Sequence, residues 1–362
     1  MKNGFSFAQV VVILMLSNGL MNHVIVIPMM LDVAKRDAWI SVLLSGALYL
    51  LWIGILYFVY QKTQKDHLLR WIKDRFGSVV YVPIALLLSL YCFLNATVTM
   101  EDTVTWISLS FAPETPIFVH SIIFASLCLV NALLGIRSIA MMSSILLPVV
   151  VVLGFFVMTT NFQHKDDSFL LPIMENGFSP VSQGMLYAGG GFAEMILFLL
   201  LQHHLKTKIS YLQIILLGVT MIGLTLGPTI GAVVEFGPME AAKLRYPAYE
   251  EWRLANIGLY IEHLDFLSIF QWFSGAFIRV SLFHYLIVEL LMIPQGPRRK
   301  WWLFGLFSLS TVITVLPLSD ILFYRLLSSY FLPTLFMIAL FLSIVLAFLT
   351  ALAHRRKHHE ES

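Results

Sequence analysis

The sequence predicts an all-α integral membrane protein of ten transmembrane helices, a five-plus-five inverted repeat (LeuT-like) with helices 1 and 6 broken. Three observations predict it. Of the 362 residues, 59% are apolar and only 12% charged, half the ~25% charged content of a soluble domain. Ten apolar runs approach the ~20 residues that cross a bilayer as helix. The first and sixth runs are interrupted near their midpoints by small and polar residues.

The runs lie at about 7–31, 38–60, 79–110, 116–135, 138–160, 181–202, 209–234, 264–293, 301–318 and 327–353. The first is too long for the apolar region of a signal peptide and no small-residue cleavage site follows it, so it is expected to remain as a span. No connection is long enough for a soluble domain. The expectation is a single membrane domain over 1–362, with repeat one at about 7–160 and repeat two at about 181–353. An even number of spans puts both termini on one side. Of 23 Lys and Arg, 15 fall on that side, among them Arg137, Lys206, Lys208 and Arg298–Lys300, and seven on the other. Positive residues favour the cytoplasm, which predicts cytoplasmic termini.

Span one carries Ser17-Asn18-Gly19, and span six carries Gly189-Gly190-Gly191 followed by Phe192-Ala193-Glu194. Glycine costs ~1 kcal/mol in a helix interior, so the triple glycine predicts local unwinding. Unwound backbone at membrane depth needs protein or a water-lined cavity around it. Interruptions at matching positions of two halves that run in opposite senses point to an inverted-repeat transporter fold with its site at the breaks. Close helix packing is the plainer use of the same small residues.

Five ionisable residues sit inside spans: Glu101, Asp102, Glu194, Arg279 and Glu289. A charge at that depth costs ~3 kcal/mol or more, which makes each a functional candidate. Arg279 needs a partner; Glu194 is the first choice and Glu101 the second, as a buried ion pair or a gate. Glu289 is near enough to a helix end to reach the interface. Tyr91, Asn95, Thr99 and Asp102 share one face of span three. Arg279 and Ser281 stand ~200° apart on span eight; Ser281 is assigned to the ligand side and Arg279 to a structural or gating pair.

A cavity between the breaks would offer backbone groups of Ser17, Asn18 and Gly19 and of Gly189, Gly190 and Gly191, with Asn95 nearby. Helix N-termini bind anionic groups, and Phe192, Ala193 and Tyr91 would enclose an apolar side chain. The implied ligand is a small zwitterion such as an amino acid. After Pro247, the mixed-charge stretch Tyr249 to Glu262 has helix-like spacing of Trp252, Ile257, Tyr260 and Ile261, suited to capping the outer vestibule, docking a partner or simply connecting spans.

A net charge of +2 gives nucleic-acid binding no electrostatic support. Cys92 and Cys128 lie in apolar runs and read as small buried side chains. There is no His-Glu-x-x-His metal motif, no Gly-x-Ser-x-Gly elbow and no nucleotide-binding loop, so an enzyme is not expected, nor a cofactor. His203 and His204 beside Lys206 and Lys208, and His354, His358 and His359 in the basic tail, read as interfacial charges rather than metal ligands.

The runs Pro172-Ile173…Gly177, Phe236-Gly237-Pro238…Leu244-Arg245-Tyr246-Pro247 and Tyr260-Ile261-Glu262-His263-Leu264-Asp265, leading into Trp272-Phe273-Ser274-Gly275-Ala276-Phe277-Ile278-Arg279, resemble the B subunit of Ger-type spore germinant receptors. That family belongs to the amino acid–polyamine–organocation permease superfamily, and the resemblance covers essentially the whole chain. It implies a protein of the spore's inner membrane, assembled with A and C subunits, that recognises a nutrient, often an L-amino acid, and triggers germination. It places the ligand pocket at Gly19, Tyr91, Gly191 to Ala193 and Ser281. Span one departs from amino-acid permeases, which have a tight glycine-rich break where this chain has Ser17-Asn18-Gly19. The competing readings are a transporter coupled to protons through Glu194 or Asp102, and a channel past Asn95 and Glu101.

Overall fold

The computed structural model describes residues 4–63, 66–258 and 263–360. Ser6 opens the first helix with a capping box closed by Gln9, the reciprocal pairing that satisfies two free N–H groups at a helix start. Helix α1 (Phe7–Leu20) runs into a π-helical turn (Met21–Ile25) and then α2 (Ile27–Ala34). Lys35, at φ 48°, closes this segment. There follow α3 (Ala38–Thr63), a short amphipathic α4 (Leu68–Phe76), α5 (Ser78–Ser110), α6 (Ile117–Leu134) and α7 (Ile136–Thr160).

The second half begins with α8 (Phe178–Phe192), a 3₁₀ turn (Ala193–Ile196), the single turn α9 (Leu197–Leu201) and a further 3₁₀ turn to His204. Helix α10 (Tyr211–Phe236) starts on another capping box, Ser210 with Gln213. Two short helices, α11 (Pro238–Ala241) and α12 (Pro247–Leu254), lead to α13 (Leu267–Leu290), α14 (Pro297–Val315), α15 (Asp320–Leu326), a π turn (Leu327–Phe331) and α16 (Leu332–Glu360). Strand pairing among the described residues is limited to one parallel bridge between Phe5 and Leu205. Tyr260, Ile261 and Glu262, part of the amphipathic stretch expected after Pro247, lie outside the described residues.

Eight helical stretches among the described residues are long and apolar enough to cross a membrane. The first of them, Phe7–Thr63, contains both the α1–α2 segment and α3. This is a multi-pass, all-helical membrane protein. Large apolar side chains such as Leu51, Val79, Leu134, Val152 and Ile321 are exposed on its outside, as lipid contact requires. Helices α8 and α9 sit innermost, with every residue from Ala188 to Gln202 buried.

Neither predicted break unwinds at the residues that the sequence singles out. Helix α1 continues through Ser17, Asn18 and Gly19, and α8 continues through Gly189, Gly190 and Gly191. The irregularity falls on the residues that follow, as the π turn after α1 and the 3₁₀ turn after α8. In lipid a helical backbone keeps its own hydrogen bonds, because nothing else satisfies them. The glycines serve close packing instead. A Cβ on Gly189 would be 2.9 Å from the Phe336 ring, and one on Gly191 would be 2.4 Å from Asn22 Oδ1.

Candidate functional site

The two irregular turns bring polar backbone and buried charge to one place. In the first, the Met21 N–H bonds to Asn18 O. The Ser17 carbonyl accepts from Arg279 Nη1 at 3.0 Å. The Asn22 amide donates to Asn18 O at 2.9 Å and, across the interface, to Gly191 O at 3.4 Å. In the second turn the tightened backbone carries Glu194, which is buried beside Arg279.

Arg279 is fully buried on α13 and all five of its N–H donors have acceptors. Nη1 reaches Glu194 Oε2 as well as Ser17 O. Nη2 reaches Glu194 Oε1 at 2.5 Å and Asn95 Oδ1 at 2.7 Å. Nε reaches Thr99 Oγ1 at 2.7 Å. Phe283 lies under the guanidinium at 4.8 Å. The two forked contacts to Glu194 form a bidentate pair, which fixes orientation as well as charge. One side chain thereby joins α1, α5, α13 and the turn after α8.

Around this node several buried polar atoms have no hydrogen-bond partner: Ser17 Oγ, Asn18 Oδ1 and Asn22 Oδ1 near the first turn, and the Tyr91 hydroxyl one helical turn before Asn95. Buried polar atoms are normally paired, and unpaired ones mark strain, function or an absent water or ligand.

Other predicted site residues point elsewhere. Ser281, assigned to the ligand side, donates to Phe277 O at 2.6 Å and Cys128 O at 3.2 Å. It packs α13 on α6, whereas Arg279, on another face of α13, meets Glu194. Gly19 approaches Leu224 of α10, and Gly190 approaches Leu332. Phe192 stacks on Tyr49 of α3 with ring centroids 4.8 Å apart, and Ala193 begins the 3₁₀ turn. Glu101, the second choice for Arg279, contacts Thr105 at 3.4 Å instead.

Asp102 belongs to a separate network that the sequence did not reveal. Arg245, between α11 and α12, donates to Asp102 at 2.7 Å and Asp320 at 3.2 Å. Tyr246 meets Trp272 edge-on at 5.4 Å, and Trp272 stacks on Trp106 at 4.2 Å. The α11–α12 connection therefore caps the ends of α5 and α13 at Trp106 and Trp272. Trp252 of α12 donates to Gln271 at 2.8 Å.

Behind the cap, Asn161 donates to Glu235 at 2.8 Å and to the Glu251 carbonyl at 2.7 Å. The Glu251 Oε1 atom is buried without a partner. Burial, then the nearby Glu235, push the Glu251 carboxyl well above the usual range, with Lys165 opposing. A carboxyl raised on folding favours the folded state below its unfolded pKa and loses that contribution as pH rises through the folded pKa. Thermal stability in detergent is therefore expected to fall with rising pH, by at most ~1.4 kcal/mol per pH unit from this group. Glu251→Gln is expected to flatten that decline; an unchanged slope would assign it to other groups.

At the opposite end, His67 caps α4, accepting from the Arg70 N–H at 3.4 Å. Burial, then His203, push its imidazole down to about 4. His203, His204 and Glu289 gather beside it.

Residues 5–320 match the model of a family described as spore germination protein. Spore germination protein XB of Bacillus anthracis is 45% identical over 328 residues, which is 91% of this chain and 92% of that protein. Spore germination protein KB of Bacillus subtilis is 23% identical, covering 78% of each. Among solved structures, a manganese transporter of Eremococcus coleocola aligns over 98% of this chain and 79% of that one, with 14% identity and a TM-score of 0.48. With the family model spanning most of its length and a relative so similar from end to end, this chain belongs to the spore germination protein family.

Proposed function

We propose that the protein is the nutrient-sensing membrane subunit of a spore germinant receptor, working with A and C subunits in the spore's inner membrane. Its ligand is a small zwitterion such as an L-amino acid, bound at the Arg279–Glu194 node. The observation that carries this reading is the node itself: a fully bonded buried pair joining both irregular turns, ringed by unpartnered Ser17, Asn18, Asn22 and Tyr91 atoms. An amino acid carries both charges of that pair. Its carboxylate would compete for Arg279 and its ammonium for Glu194, and a ligand that contacts one arrangement better than another shifts the equilibrium toward it.

The proposed architecture is ten spans. The α1–α2 segment and α3 count separately, and α14 completes the set. The halves at about 7–160 and 181–353 form an inverted repeat within one membrane domain. The segments around Arg36 and Glu175, which pair at 2.8 Å, and around Arg245 and Asp320 would face outward. Phe5, α4 and the tail of α16, where Lys62 meets His354 at 3.2 Å, would face the cytoplasm.

Reconstituted vesicles test the reading. A labelled amino acid is expected to bind saturably without accumulating inside, and Tyr91→Leu is expected to weaken binding at least tenfold, about 1.4 kcal/mol. Uphill accumulation driven by a proton gradient would make the protein a transporter instead.

A further inference from the structure

Three residues far apart in sequence, His67 before α4, His203 after α9 and Glu289 near the end of α13, come together at the end of the molecule that carries Phe5 and the tail. One potential ligand atom from each lies within 4.8 Å of the other two. His203 Nε2 stands 3.5 Å from Glu289 Oε1, and His204 Nε2 stands 3.5 Å from Glu289 Oε2. These separations are long for charge-assisted hydrogen bonds, which run about 2.7–2.9 Å. They suit ligands on a shared ion: bonds of about 2.0–2.1 Å in a tetrahedron place neighbouring ligand atoms about 3.3 Å apart.

The polar capacity of the group is unmet. His203 Nδ1 is buried without a hydrogen-bond partner, and His204 Nε2 and Glu289 Oε2 face each other only at 3.5 Å. The contact that competes for His67, from the Arg70 N–H, is long at 3.4 Å. Tyr285 donates to Glu289 Oε1 at 3.4 Å, an outer contact of the kind that orients a ligating carboxylate.

We propose that His67, His203 and Glu289 form a binding site for a first-row divalent transition ion of the zinc class, with His204 or water in the fourth position. Two imidazoles and one carboxylate select such ions over magnesium and calcium, which prefer oxygen alone. The bound ion would tie the start of α4, the end of the innermost helix and the end of α13 to one another. The site is distinct from the Arg279–Glu194 node and does not depend on its role.

The test uses the full chain without a polyhistidine tag, with the tail histidines His354, His358 and His359 changed to Asn. Zinc retained after dialysis is measured, and cobalt is titrated while visible absorption is followed. The expected result is one equivalent of zinc and intense tetrahedral cobalt bands. His203→Asn and Glu289→Gln should each weaken binding by roughly tenfold to a hundredfold or more. Zinc retention no greater than that of a chain carrying both His203→Asn and Glu289→Gln, or cobalt that stays pale and octahedral, would overturn the site. The cobalt titration of the otherwise unmodified chain decides the matter even if the variants do not fold.

Discussion

Arg279→Leu is expected to abolish accumulation of the protein in spore membranes. The change leaves Glu194 buried without its cation, and strips a partner from Asn95, Thr99 and Ser17. Removing one member of a buried pair costs about 3–5 kcal/mol, a large part of the 5–15 kcal/mol that holds a typical fold together. Arg279→Lys is not expected to rescue it. An ammonium has three donors and no planar fork, whereas five acceptor contacts surround Arg279. Combining Arg279→Met with Glu194→Gln removes both charges and should restore most of the lost stability, since a buried pair contributes little beyond an apolar replacement. The double variant should accumulate yet fail to respond to nutrient. Immunoblots of spore membranes and thermal melts in detergent read the stability. Wild-type accumulation of Arg279→Leu would contradict the node.

Gly191→Ala is expected to disable the protein through a single methyl group. That methyl would lie 2.4 Å from Asn22 Oδ1 and 3.2 Å from Asn22 Cγ. Asn22 would have to leave the Asn18 and Gly191 carbonyls, in addition to an overpacking cost of about 1–3 kcal/mol. Gly190→Ala, one position earlier, meets nothing nearer than 3.4 Å and is expected to be near neutral. Asn22→Ala should relieve Gly191→Ala in the double variant. Equal melting temperatures for Gly190→Ala and Gly191→Ala would contradict a close approach of α8 to the first turn.

The apolar runs were legible because apolarity over ~20 residues is a property of composition, and they fall on helical stretches, eight of which among the described residues are long and apolar enough to cross a membrane. The Arg279–Glu194 pair was legible for a related reason: buried charges must be matched, and few were available. Which face of α13 meets the centre was not. A helical wheel separates Arg279 from Ser281 but carries no information about the neighbour on each side, and the small Ser281 fits the close contact with α6. The glycines misled because propensity describes a helix in water, whereas in lipid the backbone keeps its bonds and the bend moves to its neighbours. Asn22 left a usable signal, a polar side chain four residues after Asn18 on the same face. Arg245 with Asp102, and His67 with His203 and Glu289, left none, since each group includes residues from connecting segments, where an ionisable side chain is unremarkable and calls for no buried partner.

Germination of spores lacking only this gene, followed by loss of light scattering across single amino acids, sugars and salts, tests the central claim most directly. The response to one nutrient class should vanish, return with the wild-type gene and fail to return with Tyr91→Leu, although that variant reaches the membrane. A full set of responses in the deletion strain, in spores stripped of related receptor genes, would contradict a sensing role.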